Sequence, residues 1–267
     1  MIDIENLRLP HTGGDFVNTY WIIAGKECAQ VLRSQKGLAW LLAFSGLLSA
    51  FVLLLVSNTE LSLLDNAQVV YMMAGTILAT GTLLAAVLGS DAYAGEKERG
   101  TLVPLLCAPI PPNALLAGKS TGMLAAWGVM FAVSIPYLWA VGANGQNLGM
   151  AVFYLALFGT PVVLGFGYLA MAMSARTGSV KTSLLSAITL LILAASPLLI
   201  GPGLRGTTIG RALDAINPFA GALNTLDSVI IDSEPFSAQI ARLFLVVAWL
   251  AICSISARRS AARPDFQ

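Results

Sequence analysis

Long apolar runs divided by short charged ones set the pattern of this chain. Six stretches, 38–56, 67–90, 120–141, 148–173, 182–200 and 243–257, contain no Asp, Glu, Lys or Arg. A helix needs roughly 20 mainly apolar residues to cross the hydrocarbon of a bilayer. The first five runs are of about that length or longer. The last reaches it if its helix starts around Ile240 and Arg242 snorkels to the interface. Alternation with a period of two is absent, and an open sheet cannot satisfy its backbone in lipid. The pattern predicts an all-α polytopic membrane protein in which residues 1–267 form one domain. Its six spans lie near 38–56, 67–90, 120–141, 148–173, 182–200 and 240–257, with Pro197 near the end of the fifth.

The segments between the runs have patterns of their own. Residues 1–37 read as an arm followed by a helix on the membrane surface, from Phe16 to Gln35. Val17, Tyr20, Ala24, Cys28, Val31 and Leu32 form its apolar stripe, and Lys26, Gln30 and Arg33 lie on another face. Such a stripe suits the lipid interface, with Tyr20, Trp21, Lys26 and Arg33 as the residues that hold it there. The 201–239 loop offers a helix start at Asn217-Pro218, because Pro fits the first helical turn. Phe219, Leu223, Leu226 and Ile230 then recur at helical spacing. This predicts a short amphipathic helix sitting at the outer surface or dipping into it, and Pro218 with those four residues forms a candidate outer gate. The 91–119 connection places four alternating charges, Glu96 to Arg99, directly before an apolar stretch that ends in a run of prolines. A short rigid element on one side of the bilayer follows, able to pass a push from a soluble partner to the second and third spans.

Composition strengthens this reading. Hydrophobic residues make up 57% and charged residues 11%, against about 25% charged in ordinary globular proteins. The distribution of basic residues sets orientation, since cytoplasmic loops are enriched in Lys and Arg. The arm, the 91–119 and 174–181 connections and the 258–267 tail hold 12 of the 15 basic residues. The alternate set holds only Arg205, Arg211 and Arg242. Both termini are therefore placed in the cytoplasm, consistent with an even number of spans in the inner membrane. The acidic start, Met1 to Glu5, does not resemble a cleavable signal peptide.

Candidate chemistry is sparse. His11 is the single histidine and falls in the arm, and no carboxylate falls in a span. That excludes a serine–histidine or di-carboxylate intramembrane protease and the proton relays of many secondary transporters. Cys28, Cys107 and Cys253 have no metal-site spacing, and no disulfide is expected. Asn113 to Ser120 comes within one residue of a phosphate-binding loop. It lacks the first glycine and a preceding strand, so it predicts no nucleotide site. No metal, cofactor or nucleic-acid partner is expected of the chain. Weakly polar Thr76, Thr80, Thr82, Ser134, Thr160 and Ser186 within the spans suit a lipidic or amphipathic substrate better than a bare ion.

The 91–119 segment resembles the permease subunits of ABC-2-type ATP-binding-cassette transporters. The resemblance rests on Glu96, Glu98, Gly100, Thr101, Leu102, Leu105, Leu106, Pro109, Ile110, Leu116, Gly118 and Lys119 in order. The number of spans, the surface helix and the Asn-Pro region before the last span extend it over most of the chain. It implies a type V exporter-like fold, with a second copy or a paralogue as partner. It also implies a separate ATPase subunit that holds ATP and Mg and is contacted through Glu96, Glu98, Arg99, Gly100, Thr101, Leu105 and Pro109. The chain itself would be no enzyme. Some members of this family act in periplasmic assembly, so mechanical transmission to a periplasmic partner stands as an alternative to export.

Overall fold

The computed structural model describes residues 13–57, 65–107, 110, 112–142, 148–199, 207–208, 212 and 216–261. The arm before Gly13 with His11, the connections at 58–64 and 143–147, Pro109, most of 200–215 and the tail after Ala261 lie outside the described residues. The elements are α1 (Gly13–Arg33), α2 (Gln35–Ser57), α3 (Asn66–Glu98), α4 (Leu102–Cys107), α5 (Pro112–Gly142) and α6 (Leu148–Tyr154). A π-helical turn, Leu155–Gly159, joins α6 to α7 (Thr160–Arg176), and α8 (Val180–Leu199) follows. The last two are α9 (Pro218–Ile230) and α10 (Phe236–Ala261). No strand occurs among the described residues.

Five stretches are long and apolar enough to cross a membrane: Gly37–Leu55, Asn66–Glu98, Asn113–Gly142, Leu148–Arg176 and Phe236–Ala261. The expected fifth span corresponds to α8, whose apolar stretch, Val180–Ser196, is shorter than those five. Two boundaries differ from the sequence reading. The second span was placed at 67–90, but α3 continues unbroken to Glu98, because the charged residues at its end find partners on neighbouring helices. The last helix starts at Phe236 rather than near Ile240. Arg242 is held within the protein, its Nη1 donating to Asn224 O, Ser228 Oγ and Gln239 Oε1 at 3.2, 3.0 and 2.8 Å.

α3 is the axis of the bundle. Its apolar window is 56% buried, against 17% for α2 and α10, whose outer faces are left to lipid. It packs along α7, and also touches α5 and α8. Close approach there depends on small residues, as in other membrane helix pairs. A Cβ on Gly89 would meet Gly167 O, Ala170 Cβ and Met171 N, and one on Gly167 would meet Met123 and Ala85. The same seam is stapled by Ser174, whose hydroxyl donates to Ser90 O at 2.7 Å and accepts the Tyr93 and Ala94 N–H groups at 3.0 and 2.8 Å. At the other end, Asn66 Nδ2 donates to Val141 O at 2.8 Å and ties the start of α3 to the end of α5.

Candidate coupling site

The charged end of α3 is where the sequence motif lies, and its backbone is closed by a specific C-terminal cap. Gly100 has φ +70°, a left-handed conformation that costs a residue with a side chain roughly 1–2 kcal/mol. The Gly100 N–H donates to Lys97 O at 3.0 Å and the Thr101 N–H to Glu96 O at 2.9 Å. This pair of bonds is a Schellman motif, which satisfies carbonyls that a helix end leaves open. The Gly-Thr of the motif thus stops α3, and α4 begins at Leu102.

The side chains of the cluster are engaged within the protein. Glu98 Oε1 accepts the Val180 N–H at 2.8 Å and the Ser179 hydroxyl at 3.0 Å, capping the start of α8. Lys97 Nζ donates to Ala175 O and Thr177 O, each at 2.9 Å, at the C-terminal end of α7. Arg99 Nη2 binds both oxygens of Asp91, at 3.1 and 3.0 Å, rather than Glu96 three residues before it. Hydrogen bonding to the Asp91 carboxylate, and its charge, hold the Arg99 guanidinium above its ordinary pKa. Glu96 accepts the Thr101 hydroxyl and faces Lys119 Nζ at 3.7 Å.

Lys119 is the hub. Its ammonium also binds Glu27 Oε1 of α1 at 3.1 Å. The side chains of Lys119, Glu27 and Glu96 are only 5%, 15% and 11% exposed. α1 lies against the first turns of α5, where a Cβ on Gly118 would meet Ile23 and one on Gly122 would meet Glu27. The Tyr20 hydroxyl bonds Thr121 Oγ1 at 2.9 Å. Ser34 breaks α1 from α2 and accepts the Gly37 N–H at 3.0 Å, which caps α2.

The residues singled out from sequence therefore fall into separate groups. Glu96 is buried, whereas Glu98, Arg99, Gly100 and Thr101 are exposed around the turn. Leu105 lies in α4. On α1, Tyr20 is half-buried against α5, and Trp21, Lys26 and Arg33 are exposed. Glu27, Asp91, Lys97, Ser174 and Ser179 were not anticipated; their partners lie on other helices or far along the same one, so no local pattern marked them. The near-match to a phosphate loop, Asn113 to Ser120, is continuous helix in the first turns of α5 rather than a loop. Among the described residues no group of three or more His, Cys, Asp or Glu is placed to hold a metal ion.

The candidate gate forms elsewhere. Asn217 Oδ1 accepts the Phe219 and Ala220 N–H groups at 3.0 and 3.3 Å, the cap that the Asn-Pro start foretold. Its Nδ2 donates to Ala194 O of α8. The resulting helix is not a surface one: Pro218, Phe219, Leu223, Leu226 and Ile230 are buried, and so are Ala220, Gly221, Ala222 and Thr225 on other faces. Small residues on those faces let α9 sink between α3, α6, α8 and α10.

Taken together, the long apolar helices define a multi-pass α-helical membrane protein whose charged inter-helix turn is tied into the bundle. Residues 21–259 match the family model described as ABC-2 family transporter protein, and the chain belongs to that family. Two curated relatives are each named "Probable ABC transporter permease protein NosY". The one from Stutzerimonas stutzeri is 32% identical over 168 residues, covering 58% of each chain. The one from Pseudomonas aeruginosa is 37% identical over 110 residues, covering 38% of each. The chain thus matches less than two thirds of the length of either relative. Family membership makes it a membrane subunit of the ABC-transporter type and implies an ATPase partner in the system.

Proposed function

We infer that this chain is the permease subunit of an inner-membrane ATP-binding-cassette exporter, driven by a separate ATPase subunit that docks on the turn between α3 and α5. The observation that carries the reading is the way this turn is tied into the bundle. Glu98 caps α8, Lys97 binds the end of α7, and Glu96 reaches α1 and α5 through Lys119. A push on Gly100 and Thr101 is thereby delivered to α3, α5, α7, α8 and α1 together. In this reading α8 is a sixth span, both termini are cytoplasmic, and the unit pairs with a second copy or a paralogue. ATP and Mg belong to the partner.

The substrate class follows from what lines the helices. The hydroxyls of Thr76, Thr80, Thr82, Ser134 and Ser186 bond carbonyls of their own helices, and Thr160 accepts from Trp127 Nε1 at 2.9 Å. Few polar groups remain for an ion, so the pathway suits an amphipathic or lipidic substrate, with α9 as part of its outer gate. The test is to reconstitute the permease with its ATPase and screen compounds for stimulation of ATP hydrolysis. Stimulation by lipidic compounds is expected. If soluble ions or a periplasmic protein stimulate and lipidic compounds do not, the apolar pathway is refuted. If the turn variants Glu98→Ala and Gly100→Ala hydrolyse ATP in the complex as the unaltered chain does, the docking site is refuted instead.

A further inference from the structure

The ends of α7 and α10 come together at a place that the coupling turn does not use. The two helices pack side by side. Their register is set by Phe166 and Trp249, whose ring centroids lie 5.8 Å apart, and by Gly165, where a Cβ would meet the Trp249 indole. An equal count onward from these two rings reaches Arg176 on α7 and Arg259 on α10, each about 15 Å further along at ~1.5 Å per residue. The two arginines thus sit at one level, and with Ile252, Ile255 and Ser256 they line a groove of about 420 Å³. Ile252, Ile255, Ser256 and Arg259 recur at the spacing of one helical face, and Arg176 joins them from the neighbouring helix.

Three features specify what fits. Among the described residues neither guanidinium has a hydrogen bond or ion pair, and the Ser256 hydroxyl has no partner either. Arg176 is not spent on the end of its own helix, because Lys97 already binds Ala175 O and Thr177 O there. Next, α7 and α10 contain no acidic residue, so the groove is lined by two positive charges and no negative one. Finally, Ile252 and Ile255 are exposed and continue a strip with Phe244 and Val247 that α10 turns outward within its charge-free run. The groove therefore starts on a lipid-facing surface and ends at the first basic residues beyond it, the depth of a headgroup phosphate.

We propose that this groove binds an anionic phospholipid, its phosphate held between Arg176 and Arg259 and an acyl chain lying along Ile252 and Ile255. Arginine presents paired N–H donors that match phosphate oxygens, and the Ser256 hydroxyl supplies a further donor. Basic pockets between membrane helices on the cytoplasmic side suit acidic headgroups. The leaflet is the cytoplasmic one on the orientation proposed for the chain; binding itself needs only that this face of α10 meets lipid. A zwitterionic headgroup would bring its ammonium beside two arginines with no acid to receive it. A free phosphate would leave the apolar half of the groove unfilled. Such a lipid bridges α7 and α10 whatever the protein transports.

In the test, the full chain is purified in mild detergent and titrated with phosphatidylglycerol or phosphatidylcholine of matched chains, and bound lipid is counted by native mass spectrometry. Phosphatidylglycerol is expected to bind at least about fivefold more tightly. Arg176→Gln and Arg259→Gln should each weaken it about fivefold and leave phosphatidylcholine unchanged. Arg258→Gln removes the same charge from an exposed position outside the groove, and should change binding less than about twofold. Arg176→Lys keeps the charge without the planar fork and should retain part of the affinity. Should Arg176→Gln fail to fold, Arg259→Gln in the last turn of α10 decides alone. Equal binding of the two lipids, no loss in the groove variants, or a loss in Arg258→Gln as large as in Arg259→Gln would overturn the proposal. Displacement of phosphatidylglycerol by inorganic phosphate, at an ionic strength matched with chloride, would overturn it as well, since the site would then take the free anion.

Discussion

Replacing Lys119 by Met tests the hub most directly. The side chain is of similar length, so the buried volume is nearly kept while the charge is lost. Two carboxylates, Glu27 and Glu96, are then left facing each other at low exposure. At 3.1 and 3.7 Å, with an effective dielectric near 20, the two lysine pairs are each worth about 4–5 kcal/mol in gross Coulomb energy. Desolvation offsets most of that, and removing one partner of a buried pair typically costs about 3–5 kcal/mol. Partial exposure of the acids favours the lower end, about 3 kcal/mol. At roughly 2–4 °C per kcal/mol for a chain of this size, Tm should fall by roughly 6–12 °C. Cys253, only 2% exposed, supplies the assay: a thiol-reactive dye reports its exposure on heating, in a Cys28→Ser, Cys107→Ser background. Adding Glu27→Gln to Lys119→Met should recover at least half of the loss, since one of the two uncompensated charges, and the repulsion between them, is gone. A Tm within about 2 °C of the unaltered chain would refute the hub, because it corresponds to less than ~1 kcal/mol.

Four further outcomes are expected. Gly100→Ala forces a side chain into the left-handed region and should cost about 1–2 kcal/mol by thermal unfolding, with Gly100→Asn less harmful. Gly89→Val drives a side chain into Gly167 O and Ala170 and should cost about 3 kcal/mol or prevent folding; a stable, monodisperse product would disprove the tight α3–α7 seam. Arg242→Met removes bonds to Asn224, Ser228 and Gln239, and should speed thiol labelling of a cysteine introduced at Ser228 several-fold without moving labelling at Ser57. Exchanging the pair as Asp91→Arg with Arg99→Glu should restore ATPase stimulation lost in Arg99→Glu alone; failure to restore would show that Arg99 acts on the partner rather than through Asp91.

Much of this arrangement was legible in the sequence because lipid makes a strong demand on composition. Charge-free runs located the apolar helices, and Asn217-Pro218 located the start of α9. What the sequence hid was long-range pairing. Asp91 to Glu98 read as a connection because charges normally end a span. They continue α3 because Lys97, Glu98 and Arg99 meet the end of α7, the start of α8 and Asp91. Nothing within one helical turn announces such partners. The face of α9 was likewise undecidable, since Ala220, Gly221, Ala222 and Thr225 are as compatible with a wet face as with close burial. Only the surrounding helices decide, and they cover it.

This pairing changes what the charges of the motif are for. Read along the sequence, the dense cluster looks like a patch offered to a soluble partner. In the fold, Glu96 is buried and Lys97, Glu98 and Arg99 are each bonded to another part of the same chain. Besides the internally bonded Glu98 and Arg99, the turn shows shape to the outside: a left-handed glycine, an exposed Thr101, and Pro104 and Cys107 on α4. A partner that grips this shape needs few charge contacts of its own, and solvated ion pairs would in any case contribute only about 0–1 kcal/mol each. The internal bonds act differently: they fix the turn relative to four other helices, so a displacement of the turn cannot be absorbed locally. On the proposed reading, the motif residues stiffen a lever, and the partner's hold on it is a separate matter of fit.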